Sequence, residues 1–216
     1  MTDRPIGLKP HNIRAILREC EHPGTGQTQT RRMLTPQPPS TRTRLVGLYA
    51  PGLTAVFEDP AIGMDSDYCH RLHFLPGYRL WVREAWRTDT VFDTTPHSDL
   101  DDSVPVCFEA DGSWRGPRTA LGRLRLGKHM QREFSRITLT VTDVRVQRLQ
   151  EISEADARAE GAPLSMIYER ESPSYRAGFE GLWDSINAAS APWDSNPWVV
   201  AVTFTPALGN IDQVPA

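Results

Sequence analysis

The stretch from Arg136 to Leu149 limits the possible folds more than any other. Ile137, Leu139 and Val141 alternate with polar residues, the period of a half-buried strand. The phase slips at Thr142-Asp143 and resumes at Val144 and Val146. A one-residue slip inside a good strand implies a bulge, and a bulge bends the sheet that carries it. Such a strand calls for a curved or closed sheet.

The remaining pattern supplies what surrounds that sheet. His11 to Cys20 places Ile13, Ile16, Leu17 and Cys20 on one helical face, and Pro23-Gly24 ends the helix. Pro36-Gln37-Pro38-Pro39-Ser40 is an extended connector, and Leu45–Tyr49 with Leu53–Phe57 forms a hairpin about Pro51-Gly52. Gly63 to Pro76 reads as loop. Tyr78 to Arg87 reads as one strand, with Leu80, Val82, Glu84 and Trp86 on one face and Arg79, Trp81 and Arg83 on the other, so that Trp81 is expected to be exposed. Val104 to Ala110 is a short strand. Ser153-Glu154-Ala155-Asp156 caps a short helix ending at Glu160-Gly161, and Ser174 caps a longer one carrying Phe179, Leu182, Trp183 and Ile186. A turn at Trp193–Pro197 leads to a last strand, Trp198 to Thr205. The sum is an α+β domain around a small curved or closed sheet, and 216 residues suit one domain with insertions.

No apolar run approaches the roughly 18 residues that span a bilayer, and the opening MTDRPIGLKP has no apolar h-region, so a soluble cytoplasmic chain without membrane contact is expected. The cysteines Cys20, Cys69 and Cys107 are odd in number and form no CxxC pair. Cys69-His70-x-x-His73 holds ligand types, but adjacent Cys and His chelate one ion poorly. Neither a metal nor a cofactor is expected.

A net charge of −3 excludes a general polycation, yet the charge is uneven. Thr88 to Ser103 holds five aspartates and no cation, whereas Arg115 to Arg136 holds seven basic residues against Glu133 alone. Arg115, Arg118, Arg123, Arg125, Lys128 and Arg132 are therefore candidate phosphate contacts. Glu84 sits among apolar neighbours and needs a cation, a ligand or a raised pKa, with Arg31 or Arg32 a candidate partner. Gly24 to Arg32 has no hydrophobic residue; its glycines, hydroxyls, amides and guanidiniums suit an anion or a base edge.

Taken in order, Thr28-Gln29-Thr30-Arg31-Arg32, Leu80 to Trp86, Ser135 to Val144, Ile152 to Gly161, Leu182 to Asn187 and Asn196 to Val199 resemble the phage and prophage branch of the ASCH-domain family, relatives of the PUA domain. The resemblance spans most of the chain, with 42–67 and 88–135 as variable insertions. It implies a small PUA-like β-barrel flanked by helices, with a cleft for RNA or a modified nucleoside in a bacterial or phage-infected cell. Some relatives are ribonucleases, and the small amidohydrolases deacylate N4-acetylcytidine. Their nucleophilic threonine falls on Thr30 and their glutamate on Glu160, with Glu84 a further candidate base. Their lysine falls on Gln27, and a neutral amide cannot take the threonine's proton. Recognition is then the leading expectation and hydrolysis the alternative. Gln27, Thr28, Arg31 and Arg32 would read a base and Trp81 or Trp86 would stack on it.

Overall fold

The computed structural model describes residues 2–38, 43–49, 53–60, 68–166 and 172–215. Proline and glycine cut these into short elements. In chain order they are β1 (Asp3–Gly7), α1 (Pro10–Glu21), β2 (Gln29–Met33), β3 (Arg44–Tyr49), β4 (Thr54–Glu58), β5 (Tyr68–Arg71), β6 (Arg79–Arg83), β7 (Trp86–Arg87), β8 (Val106–Phe108), β9 (Trp114–Arg115), β10 (Ile137–Arg148), α2 (Glu154–Ala159), α3 (Tyr175–Asn187) and β11 (Trp198–Leu208). The protein is mixed α+β, mostly sheet. Among the described residues no strand order closes on itself, and no helix is long and apolar enough to cross a membrane.

The chain divides into two compact units, each made of separated segments. The first comprises 1–27, 77–140 and 205–216. In it β1 lies parallel to β6, with Ile6 opposite Val82, and the start of β10 runs antiparallel to β6, with Leu139 opposite Leu80. Strand β6 thus has a neighbour on each side, and Leu80, Trp81 and Val82 are all buried. This corrects the expectation of an exposed Trp81, whose ring lies 4.6 Å from the Arg83 guanidinium. The strand expected over Tyr78–Arg87 is also two strands. After Arg83 the backbone changes partners: Trp86 exchanges both hydrogen bonds with Arg125, and β7 joins β8 and β9 in a separate three-stranded sheet. Trp86, Leu100, Val104, Val106, Phe108, Met130 and Phe134 form the core beneath it. Helix α1 buries Ile13 and Ile16 completely, as its spacing requires.

The second unit comprises 28–76 and 141–204. Strand β2 pairs antiparallel with β11, from Val199 opposite Met33 to Thr203 opposite Gln29. The hairpin is present as β3 and β4; its Pro51-Gly52 turn lies outside the described residues, as do Pro39 and Ser40 of the connector. The loop expected over Gly63–Pro76 contains a strand, since β5 pairs with β4. Its Tyr68 and His70 face a β4 whose Ala55 and Phe57 are fully buried, so the β4 edge is satisfied by backbone that the polar side chains disguise. Helices α2 and α3 start where Ser153 and Ser174 accept from Asp156 and Ala177 N–H groups. Phe179 and Trp183 pack with Leu149, Ile152, Trp193 and Val199, while Ile186 stays exposed. In β10, Thr142 and Asp143 are both exposed between buried Val141 and Val144, the phase slip seen in the sequence.

Candidate functional site

The polar stretch after α1 is held mainly by that helix. Arg18 Nε donates to Thr25 O at 2.9 Å, and the Glu19 carboxylate takes the N–H groups of Gly24 and Gly26, each at 2.8 Å. A Cβ on Gly26 would lie 2.2 Å from Ala15 O, so glycine is needed there for the loop to approach α1. The Gln27 side chain is fully buried and accepts from Asn12 Nδ2 at 3.1 Å.

In the second unit, Thr28 N–H donates to Ala159 O at 2.9 Å, tying β2 to the end of α2. Alternation then sends Gln29 and Arg31 to one side of β2 and Thr30 to the other. The Arg31 side chain is completely buried. Its Nη1 donates to Glu160 Oε1 at 2.8 Å and Gln29 Oε1 at 2.5 Å, and Nη2 lies 3.4 Å from Asp156 Oδ2. Asp156 also accepts from Gln29 Nε2 at 3.2 Å and Arg145 Nη2 at 2.9 Å. Burial pushes the Glu160 carboxyl up to about 7 against the pull of Arg31, whose backbone N–H it also accepts. Thr30 is buried and makes no hydrogen bond to Glu160 among the described residues. Arg32 lies beside His70, His73, Leu72 and Phe74 around a cavity of about 130 Å³, and desolvation lowers its pKa.

In the first unit, Glu84 is paired with Arg136 rather than with Arg31 or Arg32. Arg136 Nε and Nη2 fork onto its two oxygens at 2.8 and 2.9 Å, and Nη1 reaches Asp111 at 2.8 Å. Desolvation still raises the Glu84 pKa. Trp86 is fully buried under the Arg125 guanidinium, so neither it nor Trp81 offers an open face to a base.

The six candidate phosphate contacts divide evenly. Arg115 donates to Glu133 O and Asp102 O, Arg125 is buried and donates to Phe92 O and Thr95 O, and Arg132 bridges Asp3 and Asp212. Arg118, Arg123 and Lys128 are exposed, and none of their side chains is in an ion pair among the described residues. A concavity of about 760 Å³ is lined by Trp114, Arg115 and Arg136, but Asp102, Glu133 and Asp212 line it too. A smaller one of about 280 Å³ is lined by His97, Arg123, Leu124, Arg125, Leu126 and His129, with no carboxylate.

Sequence reasoning missed Arg136 as the partner of Glu84, and it missed Gln29, Asp156, His97 and His129. Asp156 carried a signal, since a helix first turn favours an acid. The two histidines carried none, because they come from separate loops, one aspartate-rich and one basic, that only the fold brings together. Compared with protein-family models, curated proteins and solved structures, the chain matches none of them.

Proposed function

We propose that the protein binds nucleic acid, RNA foremost, or a modified nucleobase, through a PUA-like fold of the kind its ASCH-type motifs imply. The observation that carries this reading is the trio Arg118, Arg123 and Lys128, exposed and without ion pairs among the described residues, while the neighbouring arginines are consumed by carboxylates and carbonyls. Folding gains nothing from three exposed cations that have no ion pair among the described residues, on a chain of net charge −3; a phosphodiester backbone complements them. Fluorescence anisotropy with a short single-stranded RNA over a salt series tests it. Replacing all three by glutamine should weaken binding and reduce the salt slope by about 2, at roughly 0.7 for each phosphate no longer neutralised. Binding indifferent to salt, or an unchanged slope in the variant, refutes the reading.

A second reading rests on Glu160. The Glu160 carboxyl, held near 7 by burial, lies in the range of a general base, but the hydrolase alternative needs it beside Thr30, which alternation places on the side of β2 away from Arg31. The present bond from Arg31 to Glu160 would have to open. Incubation with N4-acetylcytidine, followed by chromatography, decides this version: no turnover, or turnover that survives Thr30→Ala, removes it. Cleavage of end-labelled RNA tests the ribonuclease version in the same way.

A further inference from the structure

The pocket of about 280 Å³ in the first unit joins two loops of opposite charge pattern. His97 comes from the aspartate-rich segment and His129 from the basic one, and their rings lie 4.7 Å apart, tilted by 46°. Neither ring makes a hydrogen bond among the described residues, and neither does the Arg123 guanidinium. Arg125 lines the pocket too, with its Nε buried and without a hydrogen-bond partner among the described residues. Lys128 stands exposed beside His129. Two acids lie nearby, and neither lines the cavity. Asp93 accepts the Arg123 backbone N–H at 2.7 Å, and Asp99, on the same turn as His97, accepts from Ser98 Oγ at 2.8 Å. Leu124 and Leu126, 46% and 54% exposed, form an apolar wall.

Four cationic or protonatable groups around a cavity without a carboxylate make a site short of an anion. We infer that this pocket binds a phosphate group, with His97 and His129 as proton-dependent donors alongside Arg123, so that its grip tightens as pH falls. This deepens the nucleic-acid reading and rests on it for the source of the phosphate; Leu124 and Leu126 then face the attached sugar or base. Desolvation, with His97 and Lys128 alongside, holds the His129 imidazole below its usual value. Charging it therefore costs free energy that a bound anion offsets. By linkage, an anion that prefers the imidazolium raises that pKa, and affinity rises as pH drops through the imidazole range.

The test uses the full chain and two probes whose charge is constant between about pH 5.5 and 8, sulfate and a short single-stranded RNA. Binding is read from the imidazole NMR signals of His97 and His129 and from anisotropy. The expected result is sulfate-dependent shifts of both imidazoles, and RNA binding at least about tenfold tighter at the lower pH, one pKa unit of coupling. The double variant His97→Gln, His129→Gln should lose most of that pH dependence, and a thermal melt checks its fold. Imidazoles that ignore sulfate, or RNA binding with the same pH dependence in the variant, overturn the pocket while leaving nucleic-acid binding standing. Imidazoles that respond to sulfate while RNA fails to bind support the anion site and overturn the nucleic-acid reading.

Discussion

At the scale of single residues, the Arg31–Glu160 pair is held under tension by its own burial. Removing one member strands a charge in a low-dielectric interior, which costs about 3–5 kcal/mol, whereas replacing both by apolar groups of similar size is often neutral. Arg31→Met alone should therefore lower the urea midpoint far more than Arg31→Met combined with Glu160→Leu; equal losses would refute this. The pair also predicts a pH effect of definite sign. With a folded pKa near 7 and an ordinary value of 4.5, Glu160 keeps its proton longer folded than unfolded. Its contribution is fully present below the unfolded pKa and is lost as pH rises through the folded one. Relative to Glu160→Gln, the wild type should lose stability from about pH 4.5 to 7, as measured by denaturant melts across that range. Gly26→Ala is a steric test: its Cβ meets Ala15 O at 2.2 Å and Glu19 N at 2.4 Å, both backbone, and a loss beyond about 1 kcal/mol in the same melts is expected. These residue-level facts were unevenly legible. That Glu84 needs a partner follows from its neighbours in sequence, but the partner, Arg136, is 52 positions away and had many rivals. Gly26 looked like a residue inviting a ligand, and it instead admits a helix.

At the scale of elements, local patterns survived best. The phase slip in β10, the caps of α2 and α3 and the face of α1 were readable because their causes lie within one or two turns of chain. What misled was burial on both sides. Parity put Trp81 on a polar face, yet Leu80, Trp81 and Val82 are all buried, so both faces of β6 are covered at its centre and alternation stops reporting exposure there. The break between β6 and β7 was equally hidden, since it arises from a change of partner to Arg125 across a long loop. The start of α3 is a nested cap: Ser174 Oγ accepts from Ala177 N–H at 3.1 Å and donates to Glu154 at 2.5 Å, and Glu154 takes the Tyr175 N–H at 2.8 Å. Ser174→Ala should cost about 1–2 kcal/mol, with hydrogen exchange accelerated first in the opening turn of α3. Uniform acceleration along the helix would instead place its stability in the Phe179–Trp183 face.

At the scale of the whole molecule, net charge is a poor guide to what the surface can attract. The three exposed cations stand on a chain of net −3, and replacing them by neutral residues would take it from −3 to −6. An RNA-binding loss in that variant would need a control, since added negative charge alone repels a polyanion. Reversing three distant exposed acids within the trio variant supplies it: binding restored by positive charge placed elsewhere would refute a specific role for the trio, whereas binding that stays lost supports it. The division into two units adds a final consequence. The chain crosses between them at 27/28, 76/77, 140/141 and 204/205, so neither is a contiguous fragment. The first unit receives its closing segment last: Asn210 Nδ2 caps the carbonyls of Arg132, Glu133 and Ser135, and Thr138 Oγ1 donates to Gly209 O. A nascent chain thus carries residues 1–27 through the synthesis of everything up to 204 before the unit they belong to can be finished. Translation stopped short of residue 205 would release a product whose first unit lacks its closing segment.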